Sequence, residues 1–215
     1  MGAATCSLHR PVSALSPRAE VPYAGAMSDG QDDTALMLRY QAGDVAAFEA
    51  LYRRHNDALY RYMLRLCRNS HSAEDLYQEA WSKIIGSRAR YRPTAKFTTF
   101  LYRVAHNCFI DYIRRNKKHQ GDDYADPDGS ADLADLPDML TEKAMLRSRL
   151  RAALNNIPDD QRDTFLLHEE AGLSLDAIAQ VTGVNRETAK SRLRYANDKL
   201  KTALMDPALN TGDEA

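Results

Sequence analysis

Apolar residues recur at three- and four-residue steps through most of the chain, and no stretch keeps the two-residue alternation of a strand. The clearest run is Phe48, Leu51, Tyr52, His55, Leu59, Tyr62, Leu66 and Cys67, one face of a long helix. Before it, Ala35 to Ala42 reads as a short helix stopped by Gly43, and Asp44 suits the N-cap of the longer one. Ser72 with Asp75 three residues on predicts a capping box, opening a third helix through Leu76, Ala80, Ile84 and Ile85. Pro93 interrupts the chain, after which Leu101, Val104, Ala105, Cys108 and Tyr112 form the inward stripe of a fourth helix. A second helical set starts at Leu146, with Leu150, Leu154 and Ile157 before Pro158, then Phe165, Leu166 and Leu167 before Gly172. The predicted class is all-α, in two small helical domains.

Between the two sets, Asp122, Asp123, Asp126, Asp128, Asp132, Asp135 and Asp138 alternate with Pro127, Gly129 and Pro137, which reads as an acidic flexible linker. The first residues are rich in Ala, Ser, Pro and Gly without a period and read as a disordered tail; Met27 is a second candidate start. The expected organisation is a tail over 1–31, a first domain over 32–119, the linker over 120–143, a second domain over 144–205 and a tail over 206–215. With 215 residues and 44% hydrophobic content, two modest cores are expected rather than one large one. No stretch approaches the ~20 apolar residues of a membrane span, and the charged, proline-bearing first residues do not make a secretory signal. A cytoplasmic protein without membrane insertion is expected.

A net charge of −1 hides how the charges are placed. Leu173 to Val184 followed by Asn185 to Leu193 has the spacing of a helix-turn-helix. Ser174 can cap a short helix, Ala179 is small enough for a close crossing, and Gly183 permits the tight turn. In the next helix Ala189, Leu193, Ala196 and Leu200 point inward, leaving Arg186, Lys190, Ser191 and Arg194 on the outer face. Basic and hydroxyl side chains at the start of a recognition helix suit phosphates and base edges in the major groove.

A second footprint lies between Arg88 and His119, where Arg88, Arg90, Arg92, Lys96, Arg103, Arg114, Arg115, Lys117 and Lys118 face the lone acid Asp111. Tyr91, Phe97, Phe100, Tyr102 and Phe109 are interleaved with them, and aromatic faces stack on unpaired bases. Bases and stacking platforms together point to single-stranded DNA. Tyr102 and Phe109 fit a core role equally well, whereas Tyr91 and Phe97, beside the Pro93 loop, are expected at the surface. Asn107 shares an outward face with Arg103 and Arg114, where its amide can hydrogen-bond a base edge.

With these residues in view, the chain resembles the bacterial RNA polymerase sigma factors of the small, two-domain extracytoplasmic-function (ECF) group, in the correct order from about Asp32 to Ala203. Ala73 to Ala80 is similar to the family's polymerase-binding helix, which implies that Asp75, Gln78 and Glu79 face the β′ clamp helices of core RNA polymerase. Thr98 to Asn107, continuing through Arg114 and Arg115, is similar to the promoter-melting and −10-reading helix, and the family asparagine that holds a flipped base falls on Asn107. Phe100 stands where the family commonly has Trp, and His106 where Arg or a small residue is usual. At the other end, the resemblance places −35 DNA contacts on Arg186, Lys190, Ser191 and Arg194. The implied partners are core polymerase, promoter DNA and an anti-sigma factor; no cofactor is implied.

Three cysteines lie far apart and no metal-ligand spacing occurs, so neither a metal site nor a disulfide framework is expected. His55, His71, His106, His119 and His168 have no partner at catalytic spacing, and there is no phosphate-binding glycine loop or Gly-x-Ser-x-Gly. No enzymatic activity is expected. Two alternatives remain: a helix-turn-helix activator, which leaves the basic aromatic segment unexplained, and a decoy that titrates an anti-sigma factor, which has no need of the basic residues.

Overall fold

The computed structural model describes residues 32–119 and 142–205; the predicted tails, the second candidate start and the acidic linker lie outside the described residues. Within them every regular element is helical. Helix α1 (Asp33–Gln41) ends at a turn through Gly43, after which the Asp44 carboxylate accepts from the Ala47 amide and opens α2 (Val45–Cys67). Arg39 donates to the same carboxylate, at 2.6 Å, and holds it below the usual carboxylate range. Helix α3 (Ser70–Gly86) starts three residues earlier than the capping box predicts: its N-cap is Asn69, whose side chain accepts from the Ser72 amide. Asn69 follows Arg68, which ends α2 in the left-handed region at φ 62°. The side chain of Ser72 meets the Tyr112 hydroxyl at 3.0 Å instead. A single 3₁₀ turn (Arg88–Arg90) leads into the Pro93 loop and α4 (Phe97–His119).

Helices α1 to α4 pack on one another around Leu36, Leu51, Leu59, Met63, Leu66, Leu76, Ile84 and Leu101, all 2% exposed or less. Fully burying each such side chain contributes about 1.5–3 kcal/mol. The single tryptophan, Trp81, is enclosed between Phe48 and Tyr52, with ring centroids 5.8 and 5.0 Å away. The second set is α5 (Glu142–Asn155), α6 (Asp159–Glu169), α7 (Leu175–Thr182) and α8 (Arg186–Met205), in which α8 is the common support for the other three.

Two separate cores are expected from the sequence; the structure joins them. The larger apolar cluster runs from α1–α4 into Leu166, Leu167, Leu173, Ile178, Val181 and Ala189, and only a small cluster around Leu154, Ile157 and Leu200 belongs to the second set alone. The joint is made by α6 lying on α2 and α7 on α4.

Candidate nucleic-acid and polymerase interfaces

The helix-turn-helix is built as its residues predict. Ser174 caps α7 by accepting from the Ala177 amide, Gly183 takes φ 71° in the turn, and the Asn185 side chain accepts from the Thr188 amide at 2.7 Å to start α8. Ala189, Leu193, Ala196 and Leu200 are buried, which turns Lys190 and Arg194 out to solvent. Arg186 is also exposed but leans back onto Asp176 of α7 (3.2 Å) and Glu187 (3.5 Å). The guanidinium of Arg194 lies over the exposed Tyr195 ring, 5.0 Å from its centroid. Ser191 is half-buried and its hydroxyl donates to the Thr188 carbonyl. Its local bond leaves Lys190 and Arg194 as the most available of the four.

On α4, Asn107 is exposed, with the half-buried Arg103 one turn before it and exposed Arg114 and Arg115 further along. Arg114 approaches Asp111 at 3.9 Å and Arg115 reaches Glu79 of α3 at 3.5 Å. Lys96 is exposed at the helix entry. Two aromatics depart from expectation: Tyr91 and Phe97 are 3% and 1% exposed. The cause is long-range. Gln41 of α1 donates to the carbonyls of Ala89 and Tyr91, which pins the loop against the body of the protein and brings the Tyr91 ring edge-on to Phe100, 5.2 Å away. Phe97 turns inward against His55 of α2 at 5.5 Å. Tyr102 and Phe109 resolve as core, 2% and 3% exposed. Of the five aromatics named from the sequence, Phe100 is half-buried and the other four are buried.

On α3, Asp75 and Gln78 are exposed, Asp75 near His71 at 3.7 Å. Glu79 is half-buried between Lys83 (2.8 Å) and Arg115 (3.5 Å), and its hydrogen bond raises the Lys83 pKa. The acidic helix and the basic helix therefore share a seam, with Glu79, Asp111, Arg114 and Arg115 lining a shallow depression.

Residues 51–119 match the family described as Sigma-70 region 2, and residues 147–200 match Sigma-70, region 4. RNA polymerase sigma factor CarQ of Myxococcus xanthus is 32% identical over 78% of this chain and 95% of its own length. The chain belongs to the Sigma-70 family. Within it, the chain is an ECF sigma factor: ECF RNA polymerase sigma factor SigE of Mycolicibacterium smegmatis is 29% identical over 90% of this chain and 72% of its own. Among solved structures, CnrH in complex with the cytosolic domain of CnrY aligns with a TM-score of 0.60 at 20% identity, over 80% of this chain and 96% of that one. This sigma factor directs core RNA polymerase to promoter DNA for initiation, the work of a transcription regulator. The region 2 match runs from within α2 to the end of α4, and the region 4 match from within α5 into α8.

Sequence reasoning missed a polar site inside this sigma factor. His106, without a partner by spacing, has Nδ1 2.8 Å from Asp163 Oδ2, while the Tyr62 hydroxyl donates to Asp163 Oδ1 at 2.6 Å. All three are buried. Burial first, and the Asp163 charge second, pushes the Tyr62 phenol well above its ordinary pKa. No local signal marks this site, because Asp163 meets residues far away in the chain, and Arg162 and Asp163 stand in a polar stretch, Asp159 to Thr164, that reads as a solvated helix start. Among the described residues no group of three or more His, Cys, Asp or Glu could hold a metal ion, and no helix is long and apolar enough to cross a membrane. The thiols of Cys67 and Cys108 are unpaired, and burial pushes that of Cys67 up to about 12.

Proposed function

We propose that three exposed faces divide the work of initiation: Asp75, Gln78 and Glu79 of α3 dock on the β′ clamp helices; Lys96, Phe100, Arg103, Asn107, Arg114 and Arg115 hold the melted −10 strand; and Arg186, Lys190 and Arg194 read −35 duplex. Ser191 contributes to the −35 face only by giving up its bond to Thr188. The observation that carries this reading is the placement of Asn107: a neutral amide, exposed on a basic face, with Phe100 at the entry to the same helix. An amide offers a donor and an acceptor to a base edge, the arginines neutralise phosphates, and an aromatic ring takes a stacked base. Tyr91 and Phe97 support that ring from beneath, as packing rather than as contacts. The domain limits proposed are 32–119 and 144–205.

The protein works in the cytoplasm with the polymerase, has no catalytic group of its own, and is held by an anti-sigma factor. What supports the last point is that a sigma factor of the same fold, RpoE of Bartonella quintana, is solved with the anti-sigma factor NepR, at a TM-score of 0.58. Run-off transcription with core polymerase over a library of promoter fragments tests the reading. Transcripts that fall with Asn107→Ala and with Lys190→Ala combined with Arg194→Ala are expected. Stimulation that survives both sets of substitutions overturns the assignments.

A further inference from the structure

Helix α1 lies before the Sigma-70 region 2 match, which begins at residue 51, yet it packs on α2, on the 3₁₀ turn and on α4. From its two ends, two short lines of contact converge on Phe100. At the C-terminal end, the side-chain amide of Gln41 donates to the carbonyls of Ala89 and Tyr91, each at 3.2 Å, and Tyr91 meets Phe100 edge to face with centroids 5.2 Å apart. At the N-terminal end, the Asp33 carboxylate takes Arg54 Nη1 and meets His55 Nε2, both at 2.8 Å. The His55 ring lies 5.5 Å from Phe97, and Phe97 lies 6.2 Å from Phe100. Arg88, one of the basic residues of the segment, belongs to the same junction: its guanidinium sits 4.9 Å over the Tyr40 ring and donates to the Gln41 carbonyl at 3.5 Å.

The segment from Tyr91 to Lys96 is not helical, and inside it the Thr94 amide donates to the Arg92 carbonyl at 2.8 Å. A stretch with so few backbone bonds of its own takes its position from whatever holds its ends. One end is tied to α1 by Gln41; the other enters α4 at Phe97, in the same first turn as Phe100. A primary amide suits this tie, because one NH2 group carries two hydrogens and can serve two carbonyls at once. Tyr91 and Phe97 are 3% and 1% exposed, so neither ring turns without displacing its neighbours. Half-buried Phe100 is therefore braced on two sides. A free ring gives up rotamer freedom when a base stacks on it, whereas a braced ring has given it up on folding.

We propose that Gln41 is a positioning residue for strand capture: through Tyr91 it fixes the Phe100 ring in the orientation that takes a base of the melted −10 strand, while Asp33, His55 and Phe97 hold the ring from the other side. The inference rests on the −10 assignment of Phe100 proposed above, and it adds a helix that touches no DNA in that assignment. Losing the tie acts on strand capture and leaves −35 reading by α8 and polymerase docking by α3 as they were, since Gln41 belongs to neither face. The tie matters only while residue 100 carries a ring to position.

The test is a double-substitution cycle in the holoenzyme, on the strongest template from the promoter library, with open-complex yield read by permanganate oxidation of unpaired thymines. Gln41→Met keeps the length of the side chain and removes both N–H donors. It should lower the yield roughly 3- to 10-fold in the chain that keeps Phe100, and by less than about twofold where Phe100→Ala is already present. A merely structural role does not give that split. Loss of folded protein multiplies the yield by one factor in both backgrounds, so the coupling decides even if the unfolding midpoint of Gln41→Met falls. Binding of a −35 duplex and of core polymerase should match the parent's. Equal factors in the two backgrounds, or an undiminished yield from Gln41→Met, overturn the proposal. If Phe100→Ala alone leaves the yield intact, the stacking role of Phe100 fails and the proposal falls with it; if Phe100→Ala lowers the yield and Gln41→Met does not, the −10 assignment stands and only the positioning role is lost.

Discussion

Asn107 and Phe97 share one helix and meet opposite fates, the first exposed and the second 1% exposed against His55. Substituting them should therefore separate function from stability. Asn107→Ala removes no packing, so its thermal unfolding should match the parent's while −10-dependent transcription drops by roughly 5- to 150-fold, the equivalent of about 1–3 kcal/mol of base discrimination. Phe97→Ala should cost about 3–5 kcal/mol of unfolding free energy in urea titration, the usual penalty for emptying a buried aromatic site. Tyr62 gives a signed pH dependence. Its phenol is raised in the folded state, so the unfolded chain releases that proton first; the stability tied to it is complete below about pH 10 and is lost as pH rises beyond. Tyr62→Phe should unfold with a shallower dependence on alkaline pH, read from urea midpoints. Residue types alone made Asn107 and Lys190 legible as exposed polar groups on helices. They did not show that Tyr91 and Phe97 are covered, because the cover comes from Gln41 of α1 and His55 of α2, remote in sequence.

Among the elements, the helix-turn-helix was the most readable, because its signals are local: a serine that accepts an amide, a glycine that takes φ 71°, and a stripe of small and branched residues. Gly183→Ala isolates the turn. A Cβ there meets nothing within 4 Å, so the cost is backbone strain alone, about 1–2 kcal/mol, and should appear as a lowered unfolding midpoint. Lys190→Ala acts on the next helix without touching its packing. It should flatten the salt dependence of −35 duplex binding by about one unit of log–log slope, the signature of one lost phosphate contact, in titrations by fluorescence anisotropy. The start of α3 was less readable. Ser72 and Asp75 match a capping box, but Asn69 lies where the chain has just left the left-handed turn at Arg68, and its side chain reaches the Ser72 amide first.

At the scale of the whole molecule, the order of helices and the all-α class follow from periodicity, whereas the joint between regions does not. Tyr62, His106 and Asp163 come from three helices, and no periodic pattern relates them. A shared apolar cluster predicts shared cooperativity. Unfolding followed by Trp81 fluorescence, which reports region 2, should coincide with unfolding followed by far-ultraviolet circular dichroism, which reports both; two resolved transitions would mean that the regions melt independently. The burial that joins the core also governs its thiol chemistry. Thiolate is the species that oxidants and electrophiles attack. With the Cys67 thiol pushed up to about 12, only about one molecule in 10⁵ carries the thiolate there at neutral pH, and Cys108 is raised in the same direction beneath the surface. Peroxide or disulfide stress therefore finds no ready thiolate at Cys67 or Cys108, and the third cysteine, Cys6, lies outside the described residues.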